Sequence, residues 1–62
     1  MIDPRVAPQQ LLRVGRMFEL NGDAVSAVVA YREVLVAGEE RTALEARQRL
    51  EVIARRALPE RR

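Results

Sequence analysis

The chain contains no cysteine, no histidine, no tryptophan and no lysine. Without cysteine there is no disulfide and no thiol nucleophile. Without histidine the commonest general base and metal ligand is gone. Aromatic residues are down to Phe18 and Tyr31. No apolar run approaches the ~18 residues that a membrane span requires. The opening MIDPRVAPQQ has no basic stretch followed by an apolar core, so it does not read as a signal peptide. The lack of cysteine fits a reducing compartment, and a cytoplasmic location is the expectation.

The remaining chemistry is sparse. The hydroxyls are Ser26, Thr42 and Tyr31. Ser26 has no base nearby and reads as a helix-start residue, while Thr42 reads as a cap. Glu39-Glu40 are adjacent linker acids, and oxygen-only metal loops need more acids close together than any segment supplies. No glycine-rich phosphate loop is present. A catalytic role, a metal site, a cofactor and a small-molecule substrate are therefore not expected. All eleven basic residues are arginine, and the formal charge is only +2. The arginine bias reads mainly as a signature of GC-rich coding.

The 62 residues allow one small domain, and a chain of this size hides only about 60% of its unfolded surface. Small domains usually add disulfides, metals or association. Here association is what remains.

The periodicity is helical. Residues 1–7 form an extended lead-in, because Asp3-Pro4 and Ala7-Pro8 disfavour helix before each proline. Pro8 suits the first position of a helix. A first helix is predicted from Pro8 to Asn21, with Leu11, Val14 and Phe18 at spacings of three and four marking its apolar face. Asn21-Gly22-Asp23 breaks it, Gly22 ending one helix and Asp23 capping the next. A second helix is predicted from Ala24 to Ala37, closed by Gly38. Its valines permit a strand reading, but its length and its alanines argue against one. Glu39, Glu40 and Arg41 form a polar linker. Thr42 and Glu45 match a capping box opening a third helix, Ala43 to Leu58. Ala43, Ala46, Leu50, Ile53 and Ala57 form its apolar seam. Glu45–Arg49 and Glu51–Arg55 are favourable pairs four residues apart. Arg47, Arg49, Glu51, Arg55 and Arg56 are placed on its polar side. Pro59 stops the helix, and 59–62 is a tail.

Leu11, Val14-Gly15, Phe18, Gly22, Ala27, Tyr31 and Val34 together resemble a single tetratricopeptide repeat. The resemblance covers residues 8–41, with 42–58 as a capping helix. It departs where the family often has Trp (Leu11 here) and Pro (Glu39 here). It implies an all-α fold of three helices, an antiparallel hairpin followed by an amphipathic cap. Gly15 and Ala27 would let the helices approach, with Phe18 and Tyr31 filling the crossing. It also implies a concave binding face at Gln9, Leu12, Arg16, Glu19 and Leu20. The carboxylate clamp of one subgroup is incomplete, because Leu12 and Arg16 stand at its positions.

Repeat units of this kind need neighbours. The second helix carries an extra apolar stripe, Val25, Val29 and Val36, which suggests a protein interface unless the third helix covers it. The expected function is a non-catalytic protein–protein interaction or assembly module. It would act as a homo-oligomer or as a small subunit of a larger complex. The alternative is an Arg-rich nucleic-acid-associated protein using Arg55, Arg56, Arg61 and Arg62. Against it, Glu51 and Glu60 interrupt the basic cluster, and no spare aromatic is available for base stacking.

Overall fold

A computed structural model describes residues 7–57. Those residues form three helices, α1 (Pro8–Leu20), α2 (Ala24–Ala37) and α3 (Glu40–Ala57), and no strand. The protein is all-α. The expected lead-in up to residue 6, the Leu58-Pro59 stop and the tail with Arg61 and Arg62 lie outside the described residues.

Local chemistry sets the helix ends. Pro8 opens α1 after an extended Ala7. At its other end the Gly22 N–H donates to the Glu19 carbonyl at 3.0 Å, and the Asp23 N–H to the Phe18 carbonyl at 2.8 Å. This pair of bonds requires a left-handed residue, and Gly22 supplies it with φ 78°. The Asp23 carboxylate then caps α2 by accepting the Ser26 N–H at 3.1 Å. Gly38, at φ 79°, closes α2.

The start of α3 differs from expectation. The helix begins at Glu40, not after Thr42. The Ala43 N–H already donates to the Glu39 carbonyl at 2.8 Å, which makes Glu39 the capping position. The Thr42 hydroxyl reaches back to the Glu39 carboxylate at 2.8 Å. Thr42 is therefore inside the first turn and buried. The expected Thr42–Glu45 box does not form. The reason is burial: Thr42 continues the inward row of Ala46 and Ile53, and a cap residue with extended backbone could not join it.

α2 is the central element. It packs on both α1 and α3, which scarcely touch each other. The core comprises Leu11 and Leu12 of α1, Ala27, Tyr31 and Val34 of α2, and Ala46 and Ile53 of α3. Phe18, Val28, Leu35 and Leu50 pack at its margin. Ala43, Ala46, Leu50 and Ile53 thus form four members of the expected seam, and the side chain of the fifth, Ala57, lies outside the described residues. Val14 does not join the core; it is exposed, and Leu12 turns inward instead.

Gly15 sits against the ring of Tyr31. A Cβ on it would lie 2.5 Å from Cε1, 2.8 Å from Cζ and 2.9 Å from Cδ1 of that ring. Only a residue without a side chain allows α1 and α2 to approach this closely here. Ala27 and Tyr31 are fully enclosed and Phe18 is half-buried. The four residues expected at the helix crossing are therefore brought together.

Candidate protein interface

The helical period divides α2 into two apolar faces. At 3.6 residues per turn, Ala27, Ala30, Tyr31 and Val34 share the inner face, and all four are buried. Val25, Val29 and Val36 fall roughly opposite. They are 77%, 53% and 80% exposed. α3 packs elsewhere on α2 and leaves the valines uncovered, so the alternative in which the third helix hides them is not what the fold does.

The expected concave face on α1 is divided. Gln9, Arg16 and Leu20 are exposed, Leu20 by 78%. Leu12 and Glu19 are not available there. Leu12 belongs to the core, and the Glu19 side chain is only 8% exposed. Both lie on the inner edge of α1, and α3 reaches Glu19 through Arg49.

Glu19 is the hub of a polar cluster that joins all three helices. Its Oε1 accepts the Tyr31 hydroxyl at 2.6 Å. The Arg49 guanidinium grips it with Nε to Oε1 at 3.0 Å and Nη2 to Oε2 at 2.8 Å. Arg16 adds a looser contact, 3.5 Å from Oε1. Two-pronged arginine–carboxylate geometry is among the stronger polar interactions in proteins. The electrostatics agree. The Arg49 hydrogen bond holds the Glu19 carboxyl below its ordinary range against the opposing effect of burial, with Tyr31 helping. Burial pushes the Tyr31 hydroxyl up to about 12, and the bond to Glu19 adds to the shift. Glu19 in turn raises Arg49.

This cluster replaces two sequence expectations. Arg49 pairs with Glu19 across the fold rather than with Glu45 one turn away, and it leaves the solvated side of α3. Glu19 serves the fold instead of a ligand groove. One signal in the sequence pointed this way. A buried tyrosine hydroxyl needs a partner, and Glu19, one residue past Phe18, is the acid nearest the crossing on α1.

The basic cluster is partly described. Arg55 and Arg56 are exposed on the last turn of α3. Arg55 lies 3.9 Å from Glu51, a weak surface contact. Among the described residues no group of three His, Cys, Asp or Glu side chains could hold a metal, and no helix is long and apolar enough to cross a membrane.

Comparison with family models, with curated proteins and with solved structures gives no match for this chain.

Proposed function

We propose that this protein is a non-catalytic, cytoplasmic protein–protein interaction module of tetratricopeptide type. It works as a homo-oligomer or as a small subunit of a larger assembly. One observation carries this reading: the central helix exposes Val25, Val29 and Val36 on the face opposite its core residues. Scattered exposed apolar residues are ordinary, but a stripe aligned on one helix face usually marks an interaction surface. The interior gives the same direction. α3 contributes alanines to much of its seam, so the core is thin for a chain of this length.

Sedimentation equilibrium over a wide concentration range, with helix content followed in the same samples, tests the proposal. Association is expected and should be lost in the double variant Val25→Glu/Val29→Glu. Both residues are solvent-exposed, so the isolated fold should tolerate the change. Association that persists unchanged in the double variant would rule out the stripe as the interface.

The nucleic-acid reading has less support. Tyr31 is fully enclosed and Phe18 packs against the core. The sequence has no other aromatic to stack on a base.

A further inference from the structure

α2 and α3 form a hairpin with almost no loop. Only Gly38 and Glu39 lie outside the two helices, at the short end of helix–helix connections. Ala24 of α2 shares a cleft with Ile53 and Arg56 of α3, and Leu35 shares another with Ala43 and Leu44, so the two helices run antiparallel. The Ala43 N–H already donates to the Glu39 carbonyl, four residues back as in a helix. The break therefore rests on Gly38, whose left-handed backbone, φ 79°, turns the chain. No proline stands between Pro8 and Pro59, so nothing else in the sequence keeps α2 and α3 from forming one helix.

A straightened helix would keep a single inner face. At ~100° per residue, Val28, Leu35, Thr42, Ala46 and Ile53 fall within about 40° of one another. All five are buried or half-buried in the hairpin. The inward row of α2 thus runs on into the inward row of α3. A folded-back hairpin does not require that continuity, whereas two long helices lying antiparallel do.

The contacts of α3 are also ones that a second copy can supply. It packs on α2 and reaches α1 through Arg49 on Glu19. Domain swapping re-forms such contacts between chains, and short hinge loops invite it.

We propose that Gly38 is a hinge at which α3 leaves its own hairpin and closes over α1 and α2 of a second copy, with α2 and α3 straightening into one helix. Two such helices lie antiparallel about a two-fold axis near Gly38. Arg49 of each chain then forks Glu19 of the other, so each polar cluster is completed by the partner. The valine stripe stays outside this contact, and the inference does not rest on it. Exchange is slow, because α3 must first leave the core.

A Cβ at Gly38 has room: its nearest neighbour is the Val36 carbonyl oxygen at 3.9 Å. Gly38→Ala therefore acts through the backbone, disfavouring the left-handed turn and favouring the continuous helix. Both hinges of a dimer contribute, so its dimerisation constant should rise on the order of a thousandfold, read by sedimentation equilibrium. Glu19→Gln and Arg49→Met, in separate chains, identify the contact. The two variants are labelled differently and refolded together at high concentration, and circular dichroism confirms that each keeps its helices. In an exchanged dimer the mixed pair regains one native Glu19–Arg49 contact, so heterodimer should exceed random pairing on the order of tenfold. That excess supports the exchange. Random pairing, a wild-type chain that stays monomeric at every concentration, or a Gly38→Ala chain no more dimeric than wild type each overturns it. Dimers that pair at random and are lost in Val25→Glu/Val29→Glu overturn the exchange and leave the valine interface standing. Dimers that show the excess and survive the valine changes support the exchange and overturn the stripe as the interface.

Discussion

Gly15 and Tyr31 show how one missing side chain sets a helix crossing. Adding a methyl group at Gly15 would favour the helix by about 1 kcal/mol. It would also drive a carbon into the Tyr31 ring, closer than real Cβ atoms come. The ring is fully enclosed and tied to Glu19, so it has little room to yield. Overpacking typically costs about 1–3 kcal/mol and occasionally more. Gly15→Ala is therefore expected to be destabilising by about 1–2 kcal/mol overall, read as a lower urea midpoint. A midpoint at or above wild type would show that the ring moves aside. Tyr31 also makes stability depend on alkaline pH. Its hydroxyl titrates near 10.0 in an unfolded chain and near 12 in the fold. A raised value means that the stabilisation is complete below pH 10 and is lost as pH rises to about 12. The loss is on the order of 2–3 kcal/mol. Tyr31 is the sole tyrosine, so phenolate absorbance reports this group alone, and Tyr31→Phe should flatten the alkaline limb. Glu19 has the opposite sign. Its value is lowered from the ordinary 4.5, so its contribution is present above that pH and disappears as pH falls through the lower folded value.

Among the elements, α3 depends most on a single polar contact. It scarcely touches α1, yet Arg49 forks Glu19 across that gap. Removing the guanidinium leaves a carboxylate with little solvent and only Tyr31 and a loose Arg16 for support. Breaking a buried pair from one side is commonly worth about 3–5 kcal/mol. The Arg49 side chain is 27% exposed, so a smaller loss, about 1–3 kcal/mol, is expected for Arg49→Met. Native-state hydrogen exchange should show α3 amides losing protection before those of α1 and α2. Glu19→Gln added to Arg49→Met should restore part of the loss, because no uncompensated charge then remains. Equal loss of protection in all three helices would mean that α3 does not open as a separate unit.

For the whole molecule, the central position of α2 matters most. One of its faces holds the hairpin and cap together, and the opposite face stays exposed. Folding and the proposed association are then expected to be linked, since a partner that binds only the folded chain stabilises it by mass action. The isolated chain keeps its helices, and the thermal midpoint should rise with protein concentration. A midpoint independent of concentration would show that three helices suffice alone and would shift attention to the exposed residues Gln9, Arg16 and Leu20.

Sequence alone determined the elements. Proline at a first helical position, Asn21-Gly22-Asp23 and Gly38 act through local backbone geometry, so the bounds of α2 and the start of α1 were legible without tertiary information. The close crossing was legible as well, because a glycine inside a helix is unfavourable unless packing requires it. Helical periodicity set Val25, Val29 and Val36 apart as a second stripe, but only the packing of α3 elsewhere on α2 decided that the stripe is uncovered. Tertiary structure decided which polar residues belong inside. Glu19 and Arg49 are thirty residues apart, and nothing local distinguishes their pairing from the Glu45–Arg49 contact that spacing favours. Burial beside Tyr31 strengthens the distant pair, whereas the local one would remain in water. The same holds for the start of α3. Local rules favour Thr42 as a cap, but its place in the seam draws it into the helix and passes the capping role to Glu39.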